Sequence, residues 1–408
     1  MSVDKIKTYE RKYHQDFVEI LEYLTQHPEI GQKEHLAAEY LEAYLRKQGF
    51  SVESNFMGYS TAFKAEFKNG EGPKVCFLAK YDALPHFDSE GKHAHGCGHN
   101  WVAAWAIGAA TILSKMADDF SGTVAVIGSP PEDFFGDQIK VLRSDYFKEC
   151  DIVFSTHLND RNLLHSFARP INTLEFVFHG KDSQAFAWPE LGINAVDAMV
   201  DSIVAIRNYR DQGEEDDRIN YIIAEGGKKA SQIPDKAVLR LAVGADNKAR
   251  TDQISRDICE IARQNAEKYG ATFESKLYNE FRELNNISLV HEVIMSSFDA
   301  FGEPYDIYPQ VLGRTQLDNS LVSFVAPMIY VFFGVEGWTS HQPSIQRIAA
   351  SHSEDAKRKL GTAIGIFVDA ALKFYHDPEL VKQVRNKFEQ KDFINQHSKH
   401  DFVPYQKA

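Results

Sequence analysis

Val75-Cys76-Phe77-Leu78-Ala79, Tyr81-Asp82-Ala83-Leu84-Pro85 and His93-Ala94-His95-Gly96-Cys97-Gly98-His99-Asn100 follow one another closely in the chain. The first is a continuous apolar run, the pattern of a strand covered on both faces. The last sets a thiol and an imidazole two residues apart among glycines, just past the end of that strand. Cys and His suit zinc and similar divalent ions. The glycines allow the tight turn that brings such atoms to one ion.

Working outward, Ala37, Leu41, Tyr44 and Leu45 recur at helical spacing, with Gly49 where a C-terminal cap belongs. Ala62 to Phe67 alternates in character, and Trp101 to Met116 predicts an Ala-rich helix. Val124-Ala125-Val126-Ile127 and Ile152-Val153-Phe154 predict two more buried strands. Such alternation implies an α/β fold with a mostly parallel sheet. Asp82, the pair Glu132-Asp133, and His157 each follow one of these apolar strands. Ligand sites of open α/β sheets lie outside the carboxyl ends of the strands, so the placement supports one shared site.

From Ile171 to Phe281 the pattern changes. Strands are expected at Thr173–Phe178, Ile219–Ala224, Ala237–Val243 and Thr272–Leu277, and helices at Ile193–Tyr209 and Asp252–Lys268. The order β-α-β-β-α-β is the ferredoxin-like unit, here inserted as a second domain. The expected division is a catalytic domain from 1–170 and 286–408, with the insert at 171–285. Met328–Gly334 returns to strand and a long helix runs from His352. The polar tail after Asp377 is expected to be a solvated extension.

The chain has 408 residues, 43% apolar and 25% charged, enough for two ordinary globular domains. A formal net charge of −13, spread along the chain, argues against nucleic acid or an anionic membrane as partner. Four cysteines build no disulfide framework, and Cys76 and Cys150 are expected in the core. Residues 1–10 carry charge without an apolar signal region, and no apolar run approaches the roughly 18 residues of a span. A cytoplasmic location is the expectation.

Cys97, His99, Asp133, His157 and His341 together are the candidate ligands for one or two zinc-like ions. Glu132 stands beside a ligand and is the candidate general base that takes a proton from water. The set resembles the M20 metallopeptidases, and within them the aminoacylase/amidohydrolase branch, subfamily D. The resemblance rests on Asp82-Ala83-Leu84-Pro85, His95-Gly96-Cys97-Gly98-His99-Asn100, Pro130-Pro131-Glu132-Asp133, His157 and His341-Gln342-Pro343-Ser344. Gly180-Lys181, Glu225-Gly226-Gly227-Lys228 and Ile233-Pro234-Asp235 match landmarks of the inserted lid. Tyr81-Asp82-Ala83-Leu84-Pro85 is most similar to the dipeptidase and aminobenzoyl-glutamate hydrolase group.

The resemblance implies a two-metal site of zinc, manganese or cobalt, with Cys97 bridging and His99, Asp133, His157 and His341 as terminal ligands. It implies that Glu132 activates water and then protonates the leaving amine, and that Asp82 orients a ligand histidine. It also implies a homodimer joined through the lid. Three lid positions depart from the family: Gln184, Ser231 and Gly244 stand where relatives carry His, Asn and Arg. Gln184 can still donate a hydrogen bond to an oxyanion, though without positive charge. The lid therefore lacks the usual cation for a substrate carboxylate, and Lys80, Arg282 and Arg314 are the candidate replacements. The expected activity is metal-dependent hydrolysis of the amide of an N-acyl amino acid or dipeptide-like compound. The alternatives are hydrolysis of another C–N bond, such as deamination of an aromatic amine, and metal binding with little catalysis.

Overall fold

The computed structural model describes residues 3–129, 139–307, 317–339 and 345–393. Helices α1 (Val3–Gln26) and α2 (His35–Gln48) open the chain, followed by strands β1 (Ser51–Ser54), β2 (Phe63–Asn69) and β3 (Lys74–Ala79). Then come α3 (His99–Lys115), β4 (Gly122–Gly128), the short α4 (Ile139–Leu142) and β5 (Ile152–Asn159). Helix α2 ends as expected at Gly49, whose φ of 97° is left-handed backbone.

The inserted unit contains β6 (Ile171–His179), β7 (Ser183–Gln184), α5 (Ala195–Asp211), β8 (Arg218–Glu225) and β9 (Gln232–Ile233). It closes with β10 (Lys236–Gly244), α6 (Lys248–Lys268) and β11 (Thr272–Phe281). The chain returns through α7 (Ser288–Phe301), β12 (Met328–Gly334), α8 (Ile345–Ser351), α9 (Glu354–His376) and α10 (Pro378–Glu389).

The first sheet has the order β1-β2-β4-β3-β5-β12. β4, β3, β5 and β12 run parallel, whereas β2 and β1 are antiparallel additions at one side. The sheet is thus mixed, with its parallel part carrying the apolar runs. Every residue of α3 from His99 to Ser114 is buried, as a helix apolar on all sides must be. It packs against α1, α9 and the face of β3, where Phe77, Trp105, Phe154 and Phe367 meet ring to ring. Burying an aromatic ring of this size removes enough apolar surface to stabilise by about 1.5–3 kcal/mol. Cys76 and Cys150 are buried in the cluster on the opposite face, as expected.

The second sheet has the order β11-β6-β10-β8, all antiparallel, which is the ferredoxin-like arrangement. Asn194 caps α5 through the Val196 N–H, so the helix starts at Ala195 and Ile193 remains outside it. Asn247 caps α6 through the Arg250 N–H, and the helix begins at Lys248, earlier than the expected Asp252. The tail after Asp377 differs from expectation. It forms α10, in which Val384 is fully buried and Arg385 bonds the Cys150 carbonyl (3.1 Å) and Asp151 (2.9 Å).

Candidate metal and hydrolase site

The site is built at the carboxyl ends of β3 and β5 and the first turn of α3. Gly98 immediately precedes the helix with φ 74°, and a Cβ there would lie 2.8 Å from Leu158 Cδ1 and 3.1 Å from the Trp338 ring. Only glycine accepts both the conformation and the close approach. The turn places His99 as the first residue of α3, opposite Asp82 at the end of the β3 segment. His99 Nδ1 donates to Asp82 Oδ1 at 2.5 Å, and both side chains are about nine-tenths buried.

His157 is not in a loop beyond its strand, as the apolar run ending at Phe154 suggests. It stands inside β5, opposite Phe332 of β12. Its Nδ1 donates to the Leu158 carbonyl at 2.9 Å, and its ring meets the His99 ring edge-on with centroids 5.4 Å apart. In both imidazoles Nδ1 is therefore occupied and Nε2 is left as the lone-pair nitrogen, the form a metal needs.

The electrostatics follow from burial. Burial pushes His157 down to about 3, with His99 adding to the effect, so it stays neutral. Burial pushes the Cys97 thiol up to about 11, and Asp82 acts in the same direction. A thiol raised in this way ionises when a cation takes its proton's place. Burial alone would raise the Asp82 carboxyl, but His99, with Lys80 beyond it, holds it below its ordinary value. His95 bonds the Leu24 carbonyl through Nε2 at 3.0 Å and leaves Nδ1 buried without a partner among the described residues.

The described residues thus bring together Asp82, Cys97, His99 and His157. Glu132, Asp133, His341 and Arg314 lie outside the described residues. Among the described residues no group of three His, Cys, Asp or Glu side chains closes around one point. The donor chemistry still fits a borderline divalent ion: two imidazoles whose Nδ1 atoms are engaged, one of them by a carboxylate, beside a thiol.

The expected substrate cations fare differently. Lys80 is buried and ion-paired with Asp318, so it is not available as a bare cation for substrate. The pairing follows from burial, because a charge out of water must find a partner. Arg282 stands one residue past β11, its guanidinium 4.4 Å from the Phe324 ring centroid and its carbonyl bonded by Ser320 Oγ.

On the lid, β7 and β9 pair Gln184 with Gln232, and the Ser231 carbonyl accepts the Ala185 N–H at 3.0 Å. Gln184 and Ser231 are therefore neighbours. Gln184 Oε1 accepts the Phe186 N–H (2.9 Å) and also the Ala187 N–H, which leaves its NH2 group as an exposed donor. Gly244 does not join them. It stands at the far end of β10, opposite Ile171, where a Cβ would approach the Pro170 carbonyl (3.1 Å) and Arg169 Cδ (3.5 Å).

Three residues near the site escaped the sequence reading: Asp318, Trp338 and Arg347. The Trp338 ring stands edge-on to His157 (centroids 6.2 Å apart), and the Arg347 guanidinium lies 5.1 Å from a Trp338 ring centroid. Arg347 Nε donates to the Thr339 carbonyl at 2.6 Å. For Trp338 and Arg347, nearness to His341 in sequence was the one signal available.

Comparison with known proteins agrees with this fold. Residues 169–270 match the family model described as a peptidase dimerisation domain of the M20 type. The Xaa-Arg dipeptidase of Mus musculus is 28% identical over 381 residues, covering 88% of this chain and 86% of that protein. One of the chains of the Escherichia coli p-aminobenzoyl-glutamate hydrolase is 24% identical, covering 84% of this chain and 71% of that one. A Bacillus subtilis protein described as a dinuclear metal-binding peptidase of the M20 family shares the fold. Its TM-score is 0.66 at 20% identity, over 90% of this chain and 99% of that one.

Residues 169–270 match the M20-type dimerisation domain, and the chain is similar over most of its length to peptidases and amidohydrolases of that kind. The dimerisation-domain match falls on the inserted four-stranded unit, and the candidate site lies at the ends of parallel strands. Among the described residues no helix is long and apolar enough to cross a membrane.

Proposed function

We propose that this protein is a divalent-metal-dependent hydrolase that cleaves the amide of a dipeptide or N-acyl amino acid. The observation that carries the reading is the Asp82–His99–His157 arrangement, with both Nδ1 atoms engaged and both Nε2 atoms left for a cation. The relatives act on amides by name: a dipeptidase, an aminobenzoyl-glutamate hydrolase and an N-acetylcysteine deacetylase.

Cys97, His99, Asp133, His157 and His341 are the proposed ligands for one or two ions of zinc, manganese or cobalt. When bound, a divalent ion supplies Lewis acidity toward the amide carbonyl and toward water. Asp82 fixes the tautomer and direction of His99. Glu132 is the proposed general base that takes the proton of the attacking water and returns it to the leaving amine. The exposed NH2 of Gln184 donates to the developing oxyanion, with Ser231 beside it.

The division into 1–170, 171–285 and 286–408, and a homodimer through the middle segment, complete the proposal. Strand β8 is an edge of the lid sheet and exposes Ile222 and Ile223, each more than half accessible, while α5 exposes Val200 and Val204. A bare apolar edge of this kind is a pairing surface.

The test is amine release from a panel of dipeptides and N-acyl amino acids. Turnover should vanish with chelator and return with added zinc, manganese or cobalt. Absence of amine release across the panel by metal-loaded protein overturns the reading, and ammonia release from aromatic amines would replace it with deamination.

A further inference from the structure

The lid departures leave open what holds the acid group of an amino-acid substrate. The described cations around the site are nearly all neutralised by carboxylates. Lys80 is paired with Asp318, Arg161 with Asp160 and Asp306, and Lys359 with Glu303. Arg347 has no carboxylate at ion-pair distance among the described residues; Arg282 shares that lack, but its guanidinium lies over Phe324, whereas Arg347 lies over Trp338, the ring that meets His157.

Its position is fixed rather than floppy. Nε is held by the Thr339 carbonyl at 2.6 Å, and the guanidinium plane is carried on Trp338. The same indole would stand 3.1 Å from a Cβ at Gly98, the residue between Cys97 and His99, and it meets the ring of His157. Arg347 is thus one aromatic ring away from the proposed metal ligands. With Nε engaged, the two terminal nitrogens are the ones left to donate, side by side. That is the geometry of an end-on bidentate clamp for a planar oxyanion.

We propose that Arg347 is the specificity-determining residue that receives the free carboxylate of the substrate, taking the place of the cation absent from Gly244. This deepens the amide-hydrolase reading and rests on it. The substrate class it selects is one with a free carboxylate near the scissile amide: a dipeptide or N-acyl amino acid, not the corresponding carboxamide. A partly buried guanidinium with no acid beside it bears a desolvation cost that an arriving carboxylate relieves, and burial holds Arg347 below its ordinary value. Attraction to Cys97, and then to Asp160, acts the other way.

The experiment uses the full chain loaded with metal, as wild type, Arg347→Lys and Arg347→Gln. Kinetics are measured on matched pairs of dipeptides and N-acyl amino acids, each as free acid and as carboxamide. The wild type should prefer the acid, and Arg347→Gln should erase that preference through KM by about 10- to 100-fold, the scale of hydrogen bonds to a charged group. Arg347→Lys, which keeps charge but loses the fork, should fall between them. Metal content and circular dichroism should match the wild type in both variants.

Calorimetric binding of N-acetyl-L-leucine against its carboxamide gives a readout independent of turnover. If no amide is cleaved, the hydrolase reading fails while the binding comparison still decides the role of Arg347. An undiminished acid preference in Arg347→Gln overturns the proposal. Equal losses for acid and carboxamide, accompanied by metal loss, also overturn it, because Arg347 then acts through Cys97.

Discussion

Asp82 Oδ1 and His99 Nδ1 lie 2.5 Å apart at the junction of the β3 segment and α3, both almost removed from water. The carboxylate decides which ring nitrogen carries the proton, and hence that Nε2 faces the proposed ion. Asp82→Asn keeps the shape but weakens that control. Metal affinity should fall about 10- to 100-fold, the usual effect of losing such a partner. Competition titration with a chromophoric chelator measures it, with circular dichroism unchanged. Wild-type affinity in Asp82→Asn would show that His99 needs no orienting group.

Glu132→Gln preserves size but cannot accept a proton. Metal content should stay intact while kcat drops at least about 10²-fold, the lower end of general acid–base contributions. Activity within a few-fold of wild type, measured on the best substrate of the panel, would remove Glu132 from the mechanism.

The catalytic-domain strands were legible because their signal is local: an apolar run predicts a strand whatever the rest of the chain does. The Asp82, Cys97 and His99 placements were legible for the same reason, since strand, turn and helix start are contiguous. His157 was placed one step wrongly, because β5 continues past its apolar stretch into Thr156, His157 and Asn159. The Lys80–Asp318 pair was beyond reach. Its members are 238 residues apart, and burial, which sequence does not display for a lone Lys, creates the pairing. In helix α10 the periodic signal was present and overlooked: Leu380, Val381, Val384 and Phe388 recur at helical spacing and pack on the core, among charged residues that read as a solvated tail.

Glu34 is fully buried beside Tyr81 and the Asp82 carboxyl, and burial raises its carboxyl to about 8. In the unfolded chain it titrates near the ordinary 4.5. Between those values the folded state binds more protons than the unfolded state, so stability declines as pH rises from about 5 to 8. Glu34→Gln removes the ionisable group. Thermal melts should show a higher Tm than wild type near pH 8 and a flatter pH profile, while the two proteins converge near pH 5. A wild-type profile that is flat across this range would mean that Glu34 is not held protonated.

Light scattering should give twice the 46.2 kDa chain mass at micromolar concentration. Ile222→Glu with Ile223→Glu puts like charges on the β8 edge and should yield a monomer with unchanged circular dichroism. If the proposed contribution of Gln184 crosses from one protomer to its partner, activity falls together with the dimer. A variant that stays dimeric moves the interface away from β8.

Lys80 and Asp318 offer the sharpest distinction between a substrate cation and a structural one. Lys80 is buried with Asp318 as its ion-pair partner, so removing only the cation leaves a carboxylate in a dry setting. Breaking one side of a buried pair typically costs about 3–5 kcal/mol, whereas replacing both sides by apolar or neutral groups is often close to neutral. Lys80→Met should therefore lower stability strongly, and Lys80→Met with Asp318→Asn should recover most of the loss. Urea unfolding of the two single variants, the double variant and the wild type closes the cycle, with the coupling read directly from the non-additivity. A substrate-binding Lys80 predicts the reverse: near-wild-type stability in Lys80→Met, a raised KM, and no rescue by the Asp318 change.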